Sequence, residues 1–388
     1  MSVSTQSRLP LSSLLALATA VFITILTEAL PAGVMPRMAL SLHVSEALVG
    51  QTITIYAIGS LVAAIPLTIA TQGMRRRPLL MLAIAGFLVA NTVTVFSLNY
   101  MLTMIARFLA GVSAGVLWAL LAGYASRMVP NEQKGKAIAI AMVGTPLAFS
   151  LGVPAGTFLG NLMGWQVSFG LMSLMAFVLL FWIYFAVPDF EGQPITARLP
   201  IKSVLMIAGI RPVLWVVLCF VLAHNILYTY ITPFLGAVGM LAQTDTVLLI
   251  FGILSLLGIW GVGIWVDRHL RMLIISSAVL FILAISLIHF ASSIPLLIFF
   301  AAAMWGVAFG GLATLLQTAI AKAAGDAGDI AQSMLVTSWN TAIAGGGLIG
   351  GILLESFGIG SFTMILFMLM IATLVIIVLA KHHGFPSR

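Results

Sequence analysis

The chain has little of what a water-facing surface needs. Only 7% of its residues are charged, against about 25% in a typical soluble domain. With 62% hydrophobic residues and a mean hydropathy of +1.19, its polar groups are too few to cover a globule in water. The chain therefore belongs in a bilayer. Cysteine occurs once, at Cys219, which excludes an intrachain disulfide and a thiolate metal cluster. No G-x-x-x-x-G-K-[ST] run and no H-E-x-x-H run is present, so a P-loop for ATP and a helical zinc-protease motif are both excluded. Any work the protein does must then draw on a gradient.

What is present is length in apolar runs. Windows of about 20 apolar residues give twelve spans, near residues 12–36, 48–70, 78–97, 99–125, 136–160, 165–187, 212–238, 245–266, 272–291, 294–321, 330–355 and 359–380. Backbone groups in lipid must be satisfied internally, so each span is predicted to be a helix and the fold class all-α. The first apolar stretch, Leu11 to about Val34, is too long for a signal h-region and is followed by many like it, so a cleaved leader is not expected. Of the 17 Lys and Arg residues, all but Arg37 and Arg107 fall at one side of these spans, including Arg8, Arg75, Arg127, Lys134, Lys136, Arg198 and Arg388. The positive-inside rule makes that side, with both termini, cytoplasmic in an inner-membrane protein. The +7 net charge thus sets orientation, and no nucleic-acid partner is expected.

Residues 188–211 are a long polar connection that divides the chain into residues 1–187 and 212–388, six spans each. The halves match at an offset of 195: Arg76 falls on Arg271, Gly111 and Gly115 on Gly306 and Gly310, and Gly152 and Gly156 on Gly347 and Gly351. Two parallel six-helix repeats imply two bundles facing each other across a central cavity, with alternating access by rocking.

Several segments carry a resemblance. Twelve spans in a 6+6 repeat, "RFLAGVSAG" from Arg107 to Gly115, and "GIWVDRHLR" from Gly263 to Arg271 are similar to the major facilitator superfamily, whose loop motif reads G-x-x-x-D-R-x-x-R. The first-half copy, "ATQGMRRRP", has Thr71 or Gln72 at the acidic position. That argues against an Asp-based latch there and leaves Asp267, with Arg268, to supply one in the second half. "GTPLAFSLGVPAGTFLGNLMGW" from Gly144 to Trp165, with "TEALPAGVMP", "TYITPFL" and "NTAIAGGGLIGG", resembles the drug:proton antiporters, in the branch of sugar (arabinose) and purine-nucleoside exporters. The resemblance implies export by proton exchange.

Glu28 lies inside the first span, with Pro31 and Pro36 just behind it. A carboxylate at bilayer depth costs several kcal/mol and is seldom kept without a use. At about 1.5 Å per residue, Glu28 sits about 12 Å below the outer end of its helix, and Arg107 a similar distance below the end of the fourth. The pair can meet at equal depth, either as a proton-coupling site or as a structural ion pair; Arg107 can equally hold the bundle or bind substrate. His224 stands one residue past the repeat equivalent of Glu28 and is a further titratable candidate or a plain hydrogen-bond donor. Tyr56, Trp118, Asn225, Tyr228, Gln317, Trp339 and Asn340 are candidate substrate contacts, because aromatics with scattered amides suit a sugar, a nucleoside or an amphipathic drug. Gly144, Gly152, Gly156 and Gly160, with Ala148, recur every fourth residue and make a small-residue face for close helix approach. Pro146 and Pro154 permit bending there. With Arg76, Asp267, Arg268 and Arg271 they form the candidate gating and packing set.

The sequence reads as an exporter of a small organic solute in exchange for protons, working as a monomer with no cofactor and no metal, its partners being the solute, protons and the bilayer. A proton-coupled importer of the same fold is the alternative; a membrane enzyme and a non-transporting sensor are weaker ones, since no catalytic pair stands at one depth.

Overall fold

A computed structural model describes residues 9–64, 66–71, 73–130, 133–192, 201–290, 294–324 and 327–386. Arg8, Gln72, Arg198 and Arg388, and with them part of the connection 188–211, lie outside the described residues, as do the side chains of Lys134, Lys136 and Asp267. Among the described residues the regular structure is helix and no strand occurs. Eleven helices among the described residues are long and apolar enough to cross a membrane. They are α1 Leu11–Gly33, α2 Glu46–Ala63, α3 Arg76–Phe96, α4 Tyr100–Arg127, α5 Ala137–Met163, α6 Trp165–Ala186, α7 Ile210–Thr229, α8 Leu241–Val266, α9 Arg268–Phe290, α10 Pro295–Ala324 and α12 Ser361–Leu379. The twelfth expected span is also there, as the 30-residue α11, Gly328–Phe357. Its central run of Ser, Thr, Trp and Asn makes it the least apolar of the set.

Burial separates inner from outer helices. In α1, 78% of the span window is buried, against 28% in α6. On α6 the exposed residues Phe177, Phe181 and Phe185 stand one helical turn apart, which makes a continuous lipid-facing stripe. α1 continues through Pro31 and ends at Gly33; Met35–Leu42 is a separate helix that carries Arg37. α8 and α9 run into one another across a kink at His269. In α5, Ala148–Gly152 forms a π turn between Pro146 and Pro154. Two prolines remove two backbone donors, and the wider turn accommodates the interrupted ladder.

The repeat seen in sequence recurs in packing. Gly111 of α4 lies against the main-chain carbonyl of Tyr56 in α2, and Gly306 of α10 lies against that of Phe251 in α8. Phe251 stands 195 residues after Tyr56, so the same helix crossing is built twice. Gly310 likewise lies against the Ser255 carbonyl. The obstacle at each is backbone, which cannot swing aside. Gly111→Ala should therefore lower stability by about 1–3 kcal/mol, the usual cost of overpacking. Gly123→Ala, also in α4 but facing open space, should be neutral or stabilising by up to about 1 kcal/mol. Melting of both variants in detergent checks the contrast.

Candidate transport site

The site is built on α1. The glycine face of α5 lies along it: Gly144 meets Ala18 and Val21, Gly152 meets Phe22, Gly156 meets Leu30, and Gly160 meets Val34. Small residues at this spacing let α5 approach closely and fix the height and rotation of α1. The adjoining face of the π turn meets the second half, where Gly252 of α8 lies against the Phe149 carbonyl.

Glu28 is partly exposed, inside a helix that is otherwise mostly buried. Arg107 is fully buried. Its Nη2 donates to the Glu28 main-chain carbonyl and its Nε to the Thr52 carbonyl, both at 3.5 Å, while Nη1 has no hydrogen-bond partner. The guanidinium lies 5.0 Å from the Tyr56 ring centre and 5.8 Å from that of Phe169. The Tyr56 hydroxyl donates to the Thr24 carbonyl at 3.1 Å. Glu28 and Arg107 are close enough to interact electrostatically, yet no ion pair joins their side chains. Among the described residues no hydrogen bond ends on the Glu28 carboxylate. The structure thus brings together Glu28, Arg107 and Tyr56, with Tyr228 of the second half within electrostatic reach of Glu28.

His224 is buried in an aromatic box. It stacks on Phe309 with ring centres 3.4 Å apart and planes 5° apart, and its Nδ1 accepts a hydrogen bond from Trp305 Nε1 at 3.0 Å. An accepting Nδ1 carries no proton, so the ring is the neutral tautomer with hydrogen on Nε2. Tyr228, Phe251 and Phe149 complete the box; the Tyr228 ring lies 5.7 Å from each of the other two. Trp339 packs on Phe309 at 6.2 Å. The amides of Asn225 and Asn340 each donate to the carbonyl one turn back, from Val221 and Val336. Gln317 is exposed and apart from this box, its carbonyl accepting from Gln332. Trp118 is partly buried and packs against the core of the first half, roughly 16 Å along α4 from Arg107.

Phe169, Trp305, Phe309 and Phe149 are missing from the sequence reading, because contacts between helices leave no mark in periodicity. Phe251 did leave a signal, since it is the repeat partner of Tyr56. The run Gly111 to Gly115 reads G-x-S-x-G, but it lies inside α4 and Ser113 donates to the Leu109 carbonyl at 3.1 Å. It is not the strand-to-helix elbow that exposes a nucleophile.

The halves are hydrogen-bonded at the end of the bundle away from the termini. Gln51 Nε2 donates to the Gly347 carbonyl at 3.0 Å and to Tyr230 Oη at 3.4 Å, Thr54 to the Ala344 carbonyl at 3.2 Å, and Ser45 to the Glu355 carboxylate at 2.6 Å. Tyr230 Oη lies 3.3 Å from the Ala47 carbonyl and donates within its own half to Gly347 at 2.6 Å. Thr232 also donates to the Ala32 carbonyl.

At the other end the basic loop residues grip their own half. Arg75 pairs with Asp189 at 2.6 Å, the Arg77 amide donates to the same carboxylate, and the Arg76 amide donates to the Phe190 carbonyl. In the second half Arg271 donates to the carbonyls of Ile377, Val378 and Phe385. Phe385 stands 195 residues after Phe190, so this clamp is also repeated. Arg268 is exposed. Withdrawal from water raises the Asp189 carboxyl, but the Arg77 amide and the Arg75 guanidinium outweigh it and hold the group below its ordinary 3.8. A depressed folded value gives stability that is full above the unfolded value and lost only as pH falls through the folded one, below about pH 4. Asp189→Asn should thus lower melting temperature slightly and leave the shape of a flux–pH profile unchanged between about pH 5 and 8, as a flux titration of the variant will show.

Comparison with known proteins fits this geometry. A sequence model of the Major Facilitator Superfamily matches residues 17–328. A probable sugar efflux transporter of Mannheimia succiniciproducens is 28% identical over 359 residues, covering 89% of this chain and 87% of that protein. A probable sugar efflux transporter of Helicobacter pylori is 24% identical, covering 87% of each. The crystal structure of the human organic anion transporter MFSD10 (TETRAN) superposes with a TM-score of 0.71 at 14% identity, covering 96% of this chain and 100% of that one; at that identity the likeness is one of fold.

Proposed function

Because the chain belongs to the Major Facilitator Superfamily, we propose that it exports a small organic solute, a sugar foremost, in exchange for protons by alternating access. The observation that carries the coupling is Glu28: a carboxylate inside the first span, five residues before its end, partly exposed, beside a buried arginine and tied to no hydrogen-bond donor among the described residues. A group so placed gains and loses a proton at little structural cost as the site turns from one side to the other. The bonding of the halves at the end away from the termini supports a resting form open toward the termini, which the basic loops place in the cytoplasm. Solute enters from that side as Glu28 releases its proton inward. The bundles, residues 1–187 and 212–388 joined by 188–211, rock about α2, α5, α8 and α11, and Glu28 is reprotonated outside. The partly exposed rings of Phe149, Phe309 and Trp339 at the margin of the aromatic box give flat apolar faces against which the C–H face of a sugar ring packs, and the Oδ1 atoms of Asn225 and Asn340 can accept from hydroxyls. The chain works as a monomer in the inner membrane, since one chain supplies both walls of the cavity.

Everted vesicles test this. A sugar panel that includes arabinose, a nucleoside and a hydrophobic cation is added to vesicles holding an imposed pH gradient. Collapse of the gradient on addition of a sugar is the expected result. Build-up of a gradient by the sugar would mean symport, and no response to any member would remove proton exchange from the account.

A further inference from the structure

We propose that the protein holds an anionic phospholipid in a cleft between the start of α7 and the end of α12, on the terminus-bearing side. The cleft has a volume of about 710 Å³ and is lined by Arg211 and Trp215 of α7, Leu379 of α12, and His382 and His383 of the C-terminal turn. Arg211, His382 and His383 are exposed, and among the described residues no carboxylate pairs with any of them. α7 begins here with no acidic residue in its first turn and no side-chain cap, so no carboxylate of the helix start offsets the basic lining.

The wall is fixed rather than a loose tail. Arg271 ties the Phe385 carbonyl to those of Ile377 and Val378, and Phe385 is fully buried. Gly209, in the left-handed region at φ +97°, lies against the Gly384 backbone. A Cβ at position 209 would meet that backbone, so the turn is seated on the helix start.

The lining decides the occupant. Its polar end is basic, and its lower wall is apolar and open to lipid: Trp215 is 58% and Leu379 75% exposed, both inside membrane spans. A soluble anion would use only the first feature. A phospholipid uses both, with its phosphate at Arg211 and the histidines and an acyl chain along Trp215 and Leu379. Basic pockets between spans and tryptophan at the boundary are the chemistry of headgroup recognition.

The test uses purified full-length protein in neutral detergent, titrated with phosphatidylglycerol, with phosphatidylcholine of the same chains, and with inorganic phosphate. Phosphatidylglycerol should raise the melting temperature saturably and remain bound in native mass spectra; the other two should do neither. Arg211→Gln should weaken the effect about fivefold, and Arg211→Gln with His383→Gln should weaken it further. Equal responses to the two lipids, an unchanged response in the double variant, or an equal effect of inorganic phosphate would each overturn the assignment. Should the variants fold poorly, photoactivatable phosphatidylglycerol on the wild-type protein decides. Labelling concentrated in peptides around residues 207–215 and 376–383 supports the site, and labelling spread evenly over the lipid-facing helices refutes it.

Discussion

Glu28→Gln is expected to abolish uphill export while leaving solute binding and downhill exchange in place. Gln keeps the size and hydrogen-bonding reach of Glu but carries no exchangeable acid proton, so the variant separates titration from packing. One proton crossing 100 mV supplies about 2.3 kcal/mol, enough for a solute ratio of roughly 40-fold. In the variant the ratio should fall to unity, while the affinity for sugar changes little. Uptake of labelled sugar into everted vesicles, with and without an imposed gradient, reads both numbers. An undiminished ratio in the variant at matched expression would take Glu28 out of the coupling. Arg107 sets a fixed positive charge beside Glu28. Its guanidinium is committed to main-chain carbonyls and to the faces of Tyr56 and Phe169, so its charge stays fixed whether Glu28 is charged or not.

Tyr230→Phe is expected to open the end of the bundle away from the termini. The hydroxyl donates to Gly347 at 2.6 Å, reaches the Ala47 carbonyl at 3.3 Å, and accepts from Gln51 at 3.4 Å. The ring itself is seated on Gly50 and Gly350, so removing one oxygen leaves the shape of the contact intact. Hydrogen bonds of this kind contribute about 0.5–1.5 kcal/mol each. The 2.6 Å bond lies within the second half, so the contacts with Ala47 and Gln51 are the ones that join the halves; losing both should shift the balance between the two open forms by roughly fivefold. The reporter is alkylation of a single cysteine at position 47, in a Cys219→Ser background, by a maleimide added on that side. The Tyr230→Phe rate should rise about fivefold over the tyrosine parent. An unchanged rate would mean that the bonds of Gln51, Thr54 and Ser45 and the apolar contacts of α2 with α11 close this end without the hydroxyl.

Much of this was legible before any coordinates. The span count, the repeat and the equal depth of Glu28 and Arg107 all follow from apolar length and a rise of about 1.5 Å per residue. Those rules fix a residue's height along its helix but only loosely its partners. So Arg107 was expected opposite the Glu28 carboxylate, whereas the Glu28 atom it hydrogen-bonds is the main-chain oxygen. His224 was visible as a polar outlier, but its indole donor comes from another helix, at a separation no pattern in the chain announces. Arg271 and Arg76 read as gate residues through the loop motif. In the structure Arg271 and the residues flanking Arg76 hold the exits of α12 and α6, a role that depends on carbonyls left open where those helices end.

The most direct measurement is proton movement driven by sugar in sealed proteoliposomes, with a lumenal pH dye and no ATP. With wild-type protein, a sugar gradient directed outward should draw protons inward at a fixed ratio, and Glu28→Gln should move sugar down its gradient with no proton signal. Sugar flux in the wild type with the lumenal pH unchanged would contradict the account.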